Sequence, residues 1–115
     1  MKQNVNQEVA YDVSSGDKDF DDFVFEGVHD IILQFFYTAL NKADHKIRLQ
    51  ESLDGVNFIN SKDSSGALVE ITIDNSLTND ILRYTLEFNT KFARFQFIEG
   101  TAGTGTIDKL IIMTE

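Results

Sequence analysis

"IILQFFYTALNKA", residues 31–43, decides the fold. Its odd positions Ile31, Leu33, Phe35 and Tyr37 are apolar, and so are Ile32 and Phe36 on the opposite parity. A helix fits the run length, but β-branched and aromatic side chains crowd a helical turn and suit a pleated surface, so a strand is favoured. Apolar residues on both faces place that strand centrally in a sheet.

The same two-residue period runs through the rest of the chain. Val5, Val9, Tyr11 and Val13 share one parity; the polar cluster SSGDKD (14–19) ends that strand. Phe23 and Phe25 lie on one face of a segment spanning 20–28, and NKADHK (41–46) is a loop. Ile47 and Leu49 alternate with Arg48 and Gln50 in the next strand. Further strands follow at 68–73 (Val69, Ile71, Ile73 inward), 81–88 (Leu82, Tyr84, Leu86, Phe88), 91–98 and 106–114. About eight short strands, separated by turn signals at intervals of roughly 8–14 residues, predict an all-β, antiparallel β-sandwich. Spacing alone leaves jelly-roll and immunoglobulin-like windings equally open.

A chain of 115 residues is expected to form a single domain over 1–115, with residues 1–8 as an extended N-terminal arm. It holds no Cys, so neither a disulfide nor a thiolate metal site enters. The lack of Cys suits a reducing cytoplasm or assembly site and equally a secreted domain without disulfides, and MKQNVNQEVA (1–10) has no apolar run of signal-peptide length. Ten Lys and Arg stand against nineteen Asp and Glu, a formal charge of −9. That field repels phosphate backbones and anionic lipid, so the expectation is no nucleic acid and no membrane partner.

The constellations that carry chemistry were tested in turn. DKDFDD (17–22) spaces Asp17, Asp19 and Asp21 like a calcium loop, but Asp22 and Val28 stand where Gly and a bidentate Glu are required, so a solvated acidic turn is expected, with a weak Ca²⁺ site left open. His29 and His45 are the only histidines and lack zinc-ligand spacing. There is no G-x-S-x-G elbow. EGTAGTG (99–105) precedes a strand and not a helix, so it reads as a hairpin connection and not a phosphate cradle. KFARFQF (91–97) has the texture of an RNA-binding strand, but no helices accompany it and its Phe residues are assigned to the core. The expectation is no enzyme, no catalytic residue, no cofactor and no metal.

One turn stands out. In LQESLDGVNF (49–58), Asp54-Gly55 predicts a two-residue hairpin, because that dipeptide tolerates the positive φ angles such a turn demands. Phe58, with Tyr37 and Tyr84, could stack on a sugar or a partner; Tyr84 is expected to point inward.

LQESLDGVNF is similar to the S-x-D-G-x-x-F/W turn of small β-sandwiches, including discoidin-like (galactose-binding-like) modules and short virion proteins of tailed phages. KFARFQFIEGTAGTGTIDKLIIM (91–113) resembles the closing hairpin of those virion sandwiches. Together the likeness covers roughly residues 45–115 and is nearest to head-associated proteins of crAss-like phages. The resemblance implies a non-enzymatic capsid decoration, auxiliary or head-fibre protein located in the virion. Its partner would be the major capsid protein or another virion protein; Ser52, Asp54 and Gly55 would fix the hairpin turn as its structural residues, and Phe58 would plug the end of the core. A homo-oligomeric scaffold is a further expectation. The alternative is a discoidin-like carbohydrate-binding module, with Asn57, Phe58 and Asn60 as glycan contacts. The absence of Trp, and the mid-strand places of Arg48, Arg83 and Arg94, depart from that pattern.

Overall fold

A computed structural model describes residues 3–24, 30–85 and 91–115. Among the described residues ten strand segments run β1 (Gln3–Asp12), β2 (Lys18–Asp19), β3 (Phe23–Val24), β4 (Asp30–Thr38), β5 (Lys46–Ser52), β6 (Ile59–Asn60), β7 (Glu70–Thr72), β8 (Asn79–Thr85), β9 (Phe92–Ile98) and β10 (Thr106–Thr114). The 31–38 stretch is strand and not helix, as its branched and aromatic side chains predict.

Two antiparallel sheets face each other. One has the order β1-β10-β4-β8; the other has β2-β9-β5-β6, with β3 also on β9 and β7 also on β5. If β2 with β3, and β6 with β7, are each read as one interrupted strand, eight strand positions remain. Their pairing is nested: β1 with β10, β2 and β3 with β9, β4 with β8, and β5 with β6 and β7. A long hairpin folded back on itself produces that nesting, so the sandwich is wound as a jelly roll.

The core fills the space between the sheets. Ile31, Leu33, Phe35, Tyr37, Leu110 and Ile112 face it from one side, and Ile47, Leu49, Ala93, Phe95 and Phe97 from the other. Strict alternation of buried and half-buried residues along β4 and β9 follows from the two-residue pleat. Within one sheet Phe23 stacks on Phe95 at 5.9 Å, along β4 Phe35 stacks on Tyr37 at 5.6 Å, and between the sheets Tyr11 meets Phe97 at 5.9 Å. The Tyr37 hydroxyl donates to the Asp74 carbonyl at 2.6 Å. Burial, with the negative charges of Asp80 and Asp74, pushes its phenol up to about 12.

Three expectations change. Residues 3–8 are not a free arm: they run in β1, paired with β10 from Gln3 opposite Thr114 to Glu8 opposite Lys109. EGTAGTG is not a hairpin loop, because β9 and β10 belong to different sheets and the segment crosses the end of the sandwich between them. Phe92 is not core; its parity puts it with Arg94 and Gln96 on the outer face of β9, while Ala93 takes the buried place. Phe25, Leu86, Phe88 and His29 lie outside the described residues.

Candidate functional site

The Asp54 corner is built on side-chain oxygens. The Ser52 hydroxyl donates to Asp54 Oδ1 at 2.8 Å and accepts the Gly55 N–H at 3.0 Å. The same carboxylate accepts the backbone N–H of Asn57 at 2.8 Å and of Val56 at 2.9 Å, and Oδ2 accepts the Asn57 amide at 2.8 Å. Those donors, the Asn57 N–H foremost, hold the Asp54 carboxyl well below the usual carboxylate range. Only Gly55 takes a left-handed conformation, with φ of 75°. A Cβ there would lie 3.2 Å from the Phe92 ring, so the turn also sits close on β9. The expected two-residue hairpin is therefore a six-residue loop, 53–58, closed by a charge-assisted capping network. A loop tied at so many backbone donors presents its remaining side chains in fixed positions. Leu53, Val56 and Ile59 point into solvent at 73%, 78% and 70% exposure. Leu53 and Val56 on this tied loop, with Ile59 at its exit into β6, form an exposed aliphatic cluster.

Phe58 does not plug the core. It folds onto the outer face of the β5–β9 sheet, where the Arg94 guanidinium lies over its ring at 4.1 Å. Arg94 also donates from Nε to Gln50 Oε1 at 2.8 Å and pairs through Nη2 with Asp19 at 3.4 Å. Gln50 passes the chain on to Asn60 at 2.9 Å, and Gln96 donates to Asp19 at 2.8 Å. Beside them Glu70 receives Arg48 at 2.9 Å and Lys46 at 3.0 Å. Burial raises the Glu70 carboxyl, yet the two cations together win and hold it below its ordinary value. Of the glycan candidates, Asn57 is committed to Asp54 and Asn60 to Gln50. Phe58 keeps only one ring face away from Arg94.

The outer face of the other sheet has a different texture. Register puts Met113, Ile32 and Arg83 in one cross-strand row, Ile111, Gln34 and Ile81 in the next, and Lys109, Phe36 and Asn79 in a third. Lys109 Nζ lies 4.8 Å from the Phe36 ring centre. The second apolar parity of β4 thus faces outward. Ile32 and Phe36 are half-buried only by their strand neighbours.

The remaining polar clusters hold the crossing loops. His45, 0% exposed, packs 5.1 Å from Phe97, and its Nδ1 accepts the Gly100 N–H at 3.2 Å. That bond leaves the ring proton on Nε2, which has no hydrogen-bond partner among the described residues. Asp44 accepts the Thr101 N–H at 2.8 Å and its hydroxyl at 2.6 Å, which lowers the Asp44 carboxyl. Asp17 accepts the Glu99 N–H at 2.7 Å, so the carboxylates of DKDFDD are drawn to different partners: Asp17 to the crossing loop, Asp19 to Arg94 and Gln96. Among the described residues, no group of three His, Asp or Glu could hold a metal ion. Tyr37 lies in the core, and Tyr84 packs against it with its hydroxyl on the Lys62 carbonyl at 2.9 Å.

Sequence reasoning found the anchoring residues of the corner and missed what they display. The signal was present: Leu53 and Val56 bracket Asp-Gly in a turn where polar residues are the rule.

No protein-family model matches the chain, and no curated protein matches it. A solved structure that shares the fold is that of dimeric latent PorU from Porphyromonas gingivalis, with a TM-score of 0.51 and 10% identity. The match covers 98% of this chain and 12% of that one, so this chain spans about an eighth of the length of the protein it resembles. Likeness at that identity is likeness of fold.

Proposed function

We propose that this chain is a non-enzymatic structural protein of a tailed-phage virion, a capsid decoration or auxiliary protein that docks on the major capsid protein. The observation that carries the reading is the rigid tip: Leu53 and Val56 are displayed on a loop pinned by Ser52 and Asp54, with Ile59 exposed at its exit. A partner that buries them pays little ordering entropy, because the loop is already fixed. The turn is also the part of the sequence that resembles virion sandwiches. A charge of −9 keeps copies displayed at high density from aggregating. Assembly in the host cytoplasm suits a chain without Cys. Mass spectrometry of purified virions is the test. The reading expects this chain at a stoichiometry comparable to the capsid protein, and its absence from intact virions refutes the reading.

Carbohydrate binding is the second reading. It is favoured by Phe58 standing on an outer sheet face beside the Gln50–Asn60 amide row. A glycan array with a hit that Phe58→Ala abolishes supports it; an empty array removes it.

A further inference from the structure

Asp54-Gly55 is the only Asp-Gly pair in the sequence, and there is no Asn-Gly. In an open chain such a pair rearranges by itself. The Gly55 nitrogen attacks Asp54 Cγ: the N–Cγ bond forms, the nitrogen gives up its proton, and one carboxyl oxygen leaves as water. Water then adds to the Asp54 main-chain carbonyl carbon and breaks its bond to the Gly55 nitrogen. The chain now runs through Cγ as an isoaspartyl linkage. One water leaves and one returns, so the mass is unchanged and no co-reactant is needed. Glycine favours the reaction because no Cβ shields its nitrogen and its backbone turns freely into the attacking geometry.

The folded corner engages both reacting groups. The attacking nitrogen has its N–H on Ser52 Oγ at 3.0 Å. The carbon it would attack carries two occupied oxygens. Oδ1 accepts the Ser52 hydroxyl and the N–H groups of Val56 and Asn57, and Oδ2 accepts the Asn57 amide. Those donors keep the group a carboxylate, the form whose oxygen leaves least readily. We infer that Asp54-Gly55 is a latent backbone-modification site guarded by Ser52 and Asn57: closed, the network preserves the corner; opened, it lets the pair convert to isoaspartate. Conversion dismantles the corner, because the carboxylate then sits directly on Cα, short of its donors, in a main chain one carbon longer. Leu53 and Val56, on either side, lose their fixed positions. The inference rests on the chemistry of the corner and not on what the tip docks against, so virion proteomics and the following experiment fail independently.

The test is the tryptic peptide 49–62, LQESLDGVNFINSK, in which Asp54 is the sole Asp. Isoaspartate at 54 gives a second chromatographic peak of identical mass, whereas deamidation of Asn57 or Asn60 changes the mass. The full chain is incubated for weeks at physiological temperature and neutral pH, either native or unfolded in guanidinium chloride, and then digested. The unfolded chain sets the unguarded rate. Native wild type is expected to convert at least about tenfold more slowly, as a site that reacts only from a locally opened state. Ser52→Ala, while still folded, loses the Oγ contacts to Asp54 and Gly55 and is expected to convert at least about fivefold faster than wild type. Asn57→Ala removes only the exposed amide contact to Oδ2; a smaller rise is expected, and it serves where Ser52→Ala fails to fold. Gly100→Ala crowds Asp44 at the opposite end of β5 and is expected to leave the rate near wild type, which separates opening of the corner from general loss of stability. Native wild type that converts as fast as the unfolded chain overturns the inference, and so does an unfolded chain that forms no isomer. Folded Ser52→Ala and Asn57→Ala proteins as slow as wild type, or Gly100→Ala as fast as Ser52→Ala, overturn it equally.

Discussion

Gly100→Ala probes the crossing between the sheets directly. Gly100 has no left-handed φ, so alanine is conformationally welcome there. The obstacle is space: a Cβ would lie 2.4 Å from Asp44 Cγ and 2.5 Å from the Asp44 carbonyl oxygen. The second contact is backbone, which cannot swing aside as a side chain can, so the 39–45 and 99–105 segments must part. Overpacking of this kind costs about 1–3 kcal/mol. Parting them also stretches the Gly100 N–H bond to buried His45 Nδ1, worth about 1 kcal/mol. The sum, roughly 2–4 kcal/mol, corresponds to a fall in melting temperature of about 8–16 °C for a domain of this size. Gly66→Ala is the control. Its φ is 85°, and nothing lies within 4 Å of an added Cβ, so it isolates conformational strain of about 1–2 kcal/mol. Urea denaturation with unchanged slope, and thermal melts of both variants, measure the difference. A Gly100→Ala protein as stable as wild type would show that the two crossing segments are not packed as described.

Phe95→Ala opens a cavity under the Phe23 stack and is expected to cost about 3–5 kcal/mol by urea denaturation. Phe58→Ala loses a half-buried ring and one cation contact on the outer face, so only about 1–2 kcal/mol is expected; a core-sized loss would restore the plug reading. At acid pH, Asp54, Asp63 and Asp74 act together. Their folded carboxyls titrate below the ordinary 3.8, so their contribution is complete above that value and is lost as pH falls through the lower folded values. Melting temperature is expected to fall below about pH 4, and Asp54→Asn should soften that fall. Tyr37 behaves oppositely. Its raised phenol contributes below the ordinary 10.0, and the contribution is lost as pH climbs toward about 12, which ultraviolet titration against Tyr37→Phe resolves.

Much of the architecture was legible in residue parity, because a strand's pleat writes burial into the sequence one residue at a time. Ile31, Leu33, Phe35 and Tyr37, and Phe95 with Phe97, lie inward as their alternation requires. The anchoring role of Ser52 and Asp54 was equally readable, since short polar side chains reach their own backbone two or three residues on. Phe58 was not. One residue past a turn, its direction depends on a loop of six residues and on Arg94, which arrives from a strand 36 positions later.

The order of polar and apolar residues by itself determined that this chain is an acidic antiparallel β-sandwich with a fixed corner at Asp54. Only the tertiary structure decided the jelly-roll winding, the crossing at 99–105, and which apolar residues remain outside. Period two states that a residue has a face; it does not state which strand lies alongside or which sheet covers that face. Pairings such as β1 with β10 join residues a chain length apart, and no local pattern encodes them. For the same reason the apolar second face of 31–38 marked a central strand, which β4 is, and did not tell that Ile32 and Phe36 stand on the outer side of its sheet.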